Sequence, residues 1–262
     1  MSLYPFAGAH AVQSAAFALE WPEEISDADF NAIAGLREKL KPSLPDINPL
    51  QTYTILMSGQ SGGGTTSAVP GGYVFSRPGP TGPARALEIQ RNRMVGQVND
   101  YTRWAPVWKE VKNWFDIVAP VLGKRQIATV GLQYNDVFHW RDTPESLDLK
   151  KIFKTDSPLL PANVFDLSGL WHSHHGYFLD RDTPVKHKLL ENMNVNMVEE
   201  LGQRSIVISS VHKAQVNIWG WEALSECVDE LMNDLHARNK ENLEILLSED
   251  AAAKISLFKG NK

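Results

Sequence analysis

The segment GLWHSHHGYFLD, residues 169–180, places His172, His174 and His175 within four positions. Imidazole is the commonest metal ligand among side chains and also a hydrogen-bonding ring that works near neutral pH. The spacing therefore raises two chemistries, a zinc site or a polar binding surface. On a strand, residues two apart share a face, so His172 and His174 point together while His175 turns away with Trp171 and Ser173. Two imidazoles make half of a zinc site, because a catalytic zinc takes three protein ligands and keeps one position open. His212, on the next readable strand but one, is the histidine expected to join His172 and His174 if the chain is a metal-dependent hydrolase.

These residues resemble the histidine segment of the JAMM metalloprotease and deubiquitinase family, in which a His-x-His pair after a strand holds zinc. The resemblance implies an aspartate as third ligand well downstream of the second histidine. Here that place falls at Val185, and Asp180 and Asp182 come too early. His175 stands where the family has proline, and VKHKLLENMNVNMVEE (185–200) alternates like another strand where the family runs into a helix. The favoured reading is a polar sheet face. Asn192, Asn194 and Asn196 line one side of that next strand, opposite Met193, Val195 and Met197, and asparagines beside histidines make cross-strand hydrogen-bonding pairs. No cofactor is expected on this reading, and zinc is the alternative.

Other apparent motifs are weaker. GQSGGGTT (59–66) approaches the phosphate-binding loop pattern, but Thr65 occupies the lysine position and SAVPGGYVF follows in place of a helix, so a hairpin connection is expected. RPGPTGPAR (77–85) reads as a second loop projecting from the same meander. GQSGG (59–63) has the G-x-S-x-G spacing, but SAVPGGYVF and not a helix follows it, so no nucleophile elbow is expected. Arg85, Arg91, Arg93 and Arg103 would form a cationic stripe on a curved sheet, and Arg91 and Arg93 join His172, His174, Asn192, Asn194 and Asn196 as candidate ligand-binding residues. Cys227, the single cysteine, follows the helical spacing of Leu224, Val228, Leu231 and Leu235 and reads as a packing residue.

The elements that would carry these residues are those of an α+β protein. The strand AVQSAAFALEW (11–21) precedes a helix over 26–40, capped by Ser26 with Asp29 in the capping-box position. KPSLPDINP (41–49) breaks it. Strands over 51–59, 71–78 and 84–101 lead to a helix over 104–122 whose Trp104, Trp108, Val111, Phe115, Val118 and Leu122 share a face. A second pass opens with a strand over 125–140, then a short helix over 146–153, strands over 166–179, 188–200 and 204–216, and a long helix over 221–247 with a frayed tail. Each half reads strand, helix, three strands, helix. The expectation is a single α+β domain over 1–262, an antiparallel sheet with helices on one face, built of two pseudo-repeats of about 8–123 and 124–262. The same order of elements would also suit a TATA-binding-protein-like arrangement.

Composition is ordinary for a globular chain, 43% hydrophobic and 22% charged. No apolar run approaches the roughly 18 residues that a membrane helix needs, and MSLYPFAGAH lacks the regions of a signal peptide. A cytoplasmic protein without a membrane partner is expected. The net charge of −5 gives no footprint for generic nucleic-acid binding. Leu243, Leu246 and Leu247 on the last helix could pack against a second copy as a homodimer.

The blocks ISDADFNAI, RNRMVGQVNDYTRWAPVWKEVKNWF, VGLQYNDVF and LMNDLHARNKENLEILLSED, in this order, resemble a sporadically distributed bacterial family of conserved hypothetical proteins. The resemblance spans nearly the whole chain and implies no activity, cofactor or catalytic residue. It implies only a link to defence or mobile elements. The expectation is therefore a non-enzymatic binding or interaction protein with an unidentified protein or small-molecule partner, with the hydrolase centred on 172–175 as the alternative.

Overall fold

A computed structural model describes residues 3–57, 64–143 and 146–257. The chain is α+β, with one large antiparallel sheet and six helices among the described residues. Two compact units divide it: a smaller one of Ala18–Ala128 and Ile218–Glu222, and a larger one of Met1–Phe17, Thr129–Asn217 and Ala223–Lys262. No helix of the described residues is long and apolar enough to cross a membrane.

The smaller unit takes the end of β2 (Val12–Glu20), then α1 (Asp27–Ala34), α2 (Arg37–Leu40), β3 (Asp46–Met57), β4 (Gly64–Gly79), β5 (Gly82–Gln90), β6 (Arg93–Val98) and α3 (Trp104–Leu122). Ser26 caps α1 as expected: its Oγ accepts from the Asp29 amide at 3.1 Å and donates to Asp29 Oδ2 at 2.8 Å. The expected helix over 26–40 is two helices, because Gly35 stops the first, while Phe30, Ile33, Leu36 and Leu40 stay on the buried side.

Three other expectations are corrected here. β3 begins at Asp46, inside the proline-rich break, and holds Pro49 at the edge of the sheet, where a missing donor is tolerated. RPGPTGPAR does not project: Gly79 pairs with Gly82 across Pro80 and Thr81 in a tight hairpin. The strand expected over 84–101 folds back at Arg91 and Asn92, whose carbonyls accept from the amides of Ile25 and Trp21 at 2.9 and 3.0 Å. The hairpin connection expected at GQSGGGTT falls outside the described residues over 58–63, and the last three residues of that stretch open β4.

Helix α3 has the expected bounds. Its Trp108, Val111, Trp114, Phe115 and Val118 are buried, and Trp114 Nε1 donates to Ser43 Oγ at 3.0 Å. Gly96 on β6 admits this face, since a Cβ there would lie 2.7 Å from Val111 Cγ1.

The larger unit holds β1 (Leu3–Pro5), the start of β2, β7 (Gln126–Trp140), β8 (His172–Arg181), β9 (His187–Glu200), β10 (Gln203–Trp219), α5 (Val228–Leu246) and α6 (Glu249–Lys254); the short α4 (Trp221–Ser225) precedes α5. The helix expected over 146–153 is a single turn of 3₁₀ helix, Leu149–Lys151, and a second such turn spans Ala162–Asp166. β9 and β10 are joined by Leu201 and Gly202, both at positive φ (51° and 76°), the backbone that a two-residue hairpin requires.

The long terminal helix is broken before Val228, and the tail continues as α6 with Ala251 and Ala252 fully buried, so it is not frayed there. Leu243, Leu246 and Leu247 are buried in this unit's own core with Val195, Met197, Ile206 and Ile208, and present no surface to a second copy.

Strand order follows one internal rule in each unit. Away from the opening strand, the later strands come in reverse chain order: β2, β6, β5, β4, β3 in the smaller unit and β7, β10, β9, β8 in the larger. The larger unit has the three strands expected after its helical segment, and the smaller has four.

Candidate binding face

In the larger unit the pleat sends alternate residues to opposite sides, and the hairpin registers set them in rows. His172 pairs with Asn196 and, on the next strand, Val207; His174 with Asn194 and Ser209; Gly176 with Asn192 and Val211. His172 and His174 are exposed and the three asparagines half-exposed. The rows continue onto β7, where Gln133 Nε2 donates to Ser209 Oγ at 3.3 Å and His139 Nδ1 lies 3.0 Å from Ser205 Oγ. Asn135 Nδ2 donates to Ser14 Oγ of β2 at 2.9 Å.

None of the side chains in the first three rows is a carboxylate, lysine or arginine; charge enters the face at Asp180, Lys188 and Lys213. Asn192 Oδ1 is buried without a hydrogen-bond partner. The sequence reading placed the His/Asn rows on one face, and the structure brings them together. It did not find Gln133, Asn135, His139, Ser205 and Ser209, although each falls on the alternation of its own strand.

His212 is not part of this face, which corrects the expectation that it joins His172 and His174. It pairs with Glu191 and points to the other side, beneath α5, where it is 1% exposed. His212 Nδ1 donates to Glu191 Oε2 at 2.6 Å, and its Nε2 lies 3.3 Å from Asn239 Oδ1. Arg238 Nε donates to Glu191 Oε1, and Asn242 Nδ2 to Glu191 Oε2, both at 2.9 Å. Burial by itself would raise the Glu191 pKa, but hydrogen bonds and positive charge from His212 and Arg238 outweigh it and hold the carboxyl at about 2. Glu191 is therefore an ionised, fully committed acceptor that ties three α5 or β10 side chains to β9.

Two further titratable groups lie on this covered side. Asp136 is 2% exposed, its Oδ2 has no partner, and burial raises its pKa to about 7. His236 Nδ1 lies 3.0 Å from the Tyr134 hydroxyl; burial, then Lys240 and His212, lower its pKa to about 4. Among the described residues no three of His, Cys, Asp and Glu come together as a metal would require.

The remaining candidates belong to the smaller unit or are otherwise engaged. Arg91 donates to Asp27 Oδ1 at 2.8 Å and sits 4.6 Å over the Phe30 ring, and Arg93 pairs with Glu88 at 3.5 Å. Arg85 is buried against Glu110 and Asp100. Arg85, Arg91 and Arg93 are thus ion-paired within their own unit and do not form a free stripe with Arg103, which precedes α3. A cleft of about 280 Å³ in the same unit is lined by Pro22, Glu23, Lys124, Arg125 and Trp219. There the Arg125 guanidinium donates to the Glu23 and Glu24 carbonyls at 3.4 and 3.2 Å. Cys227 is half-buried at the start of α5, its thiol pushed up by burial and by Glu226 and Glu230.

No family model matches the chain, and no curated protein matches it. Among solved structures it is similar to the di-domain ARO/CYC StfQ from the steffimycin biosynthetic pathway, at 12% identity and a TM-score of 0.20, over 94% of this chain and 99% of that one. A likeness of that size carries no argument about fold or function.

Proposed function

We propose that the chain is a non-enzymatic binding protein, and that the face of His172, His174, Asn192, Asn194 and Asn196 takes a polar ligand recognised by hydrogen bonds rather than by charge. The observation that supports this reading is the register of three rows free of carboxylates, lysines and arginines. Asparagine is disfavoured in strands. Three at alternate positions of β9 sacrifice strand propensity, and each supplies an amide that offers both donors and an acceptor. Exposed sheet faces are ordinarily solubilised by charged side chains, and a neutral polar face instead matches a ligand with its own donors and acceptors. Asn192 Oδ1, buried without a partner, is an acceptor that such a ligand could satisfy.

The test is a titration of the full chain, isotope-labelled on asparagine and histidine side chains, with three probes: a neutral oligosaccharide, an uncharged extended peptide and a short single-stranded oligonucleotide. One probe should move the Asn194 and His174 signals. The double substitution Asn194→Leu with His174→Leu should abolish the response and leave the thermal midpoint near that of the unsubstituted chain. Silence with all three probes, together with zinc uptake lost on His172→Ala and His174→Ala, would replace this reading by the hydrolase.

A further inference from the structure

In the smaller unit β4 is flanked by β5 and β3, whereas in the larger unit β8, at the same place in the internal order, is flanked by β9 alone. The described residues contain no counterpart to β3 in the larger unit. One edge of β8 therefore presents backbone N–H and C=O groups to no strand, a ready template for another chain. β8 carries few of the devices that discourage such pairing: it has no proline and no lysine, its charged side chains, Asp180 and Arg181, are confined to its last two positions, and its register with β9 is unbroken. The edge strand β3 of the smaller unit, in contrast, has Pro49 and a register shift at Leu50/Gln51. Phe178 on β8 is 56% exposed, and Leu167 and Leu170 in the segment that leads into β8 are 46% and 60% exposed.

We propose that this edge pairs with β8 of a second copy of the chain, antiparallel, about a two-fold axis through Gly176. The argument for that occupant is self-complementarity. Residues directly opposite in an antiparallel pair lie on the same face. With Gly176 opposite Gly176, His174 meets Phe178, and His172 meets Asp180, on the face that carries the asparagines. On the other face His175 meets Tyr177, repeating across the axis the ring contact that these two make within one chain at 5.4 Å. Each imidazole thus finds an aromatic ring or a carboxylate. The single position that would face its own copy is a glycine, which removes the collision of two identical side chains. The interface is isologous and closes on itself, which excludes open-ended growth. It joins two polar faces edge to edge and does not depend on what they bind.

Light scattering of the full chain over a concentration series tests this. The expected mass is twice the 29.3 kDa of one chain. His172→Asp sets carboxylates opposite Asp180 at both ends and should weaken the dimer about tenfold or more. Adding Asp180→His to that variant exchanges the partners and should restore it. Phe178→Lys should also weaken the dimer, by placing charge on the edge. Circular dichroism unchanged from that of the unsubstituted chain establishes that each variant is folded, since all three positions are exposed. A single-chain mass at every concentration overturns the proposal. So does a dimer indifferent to His172→Asp and Phe178→Lys, or a double variant no tighter than His172→Asp alone.

Discussion

Helices α3 and α5 are both 19 residues long, and each lies against strands of its own unit, but the two contacts are made of different chemistry. α3 offers Trp108, Val111, Trp114, Phe115 and Val118, and the strand beneath yields to them at Gly96. α5 keeps an apolar stripe of Val228, Leu231, Met232, Leu235, Leu243 and Leu246, yet it also carries Arg238 and Asn242, which with His212 converge on Glu191, and Asn239, which meets the far side of the His212 ring. Apolar burial attracts without direction, so shape carries most of the α3 contact, and the directional bonds of Trp114 to Ser43 and of Arg85 to Glu110 are separate pairs that share no acceptor. Hydrogen bonds to one carboxylate tolerate little displacement, so α5 has a single position along β9 and β10. On the far side of those two strands lie the His/Asn rows, and a helix held this way fixes the strands that carry them.

The largest effect should come from removing the shared acceptor. Glu191→Ala leaves His212, Arg238 and Asn242 without their partner in the interior and should cost about 3–5 kcal/mol in urea unfolding at neutral pH. The difference should shrink as pH falls from 4.5 towards 2, because a carboxyl with a lowered folded pKa contributes above its ordinary pKa and loses that contribution on protonation. Replacing Glu191, His212 and Arg238 together by leucine should recover most of the loss. A Glu191→Ala cost near that of an exposed position would break the contrast between the two helices.

Asp136 sharpens the comparison from within the larger unit, since it is a buried carboxyl without Glu191's partners. Its raised pKa means that its contribution is full below its ordinary pKa and is lost as pH rises from 3.8 through about 7. Asp136→Asn should remove that dependence and make the protein about 2–4 kcal/mol more stable than the unsubstituted chain at alkaline pH, with little change at acid pH. Denaturant midpoints across the pH range would show it, and parallel curves for the two proteins would refute it. Smallest is the effect on α3. Gly96→Ala forces a Cβ against Val111 and should cost about 1–3 kcal/mol, read as a lowered thermal midpoint with the sheet spectrum retained.

Much of the fold could be read locally. The bounds of α3, the cap of α1 and the alternation of β7, β9 and β10 all follow from short-range periodicity. The β5–β6 hairpin left only a faint local mark, a shift of the apolar positions from odd (Leu87, Ile89) to even (Met94, Val98) across the polar run QRNR, and the amides that hold the Arg91 and Asn92 carbonyls come from Trp21 and Ile25, far away in sequence. His212 was misplaced for a countable reason. The turn at Leu201 and Gly202 has two residues, so even positions on β9 stand opposite odd ones on β10, and His212 must share a face with Glu191 rather than with Asn192. Asn239 and Asn242 gave no such signal, since their partners depend on how α5 is rotated against the strands.

By itself, then, the sequence determined that His172 and His174 share a face and that the three asparagines share another row, because a pleated strand alternates whatever surrounds it. Only the tertiary structure decided that the rows stand side by side and that α5 covers the opposite side of their strands. Those outcomes depend on hairpin register and on a helix docking through Glu191, contacts between residues distant in sequence that no local periodicity encodes.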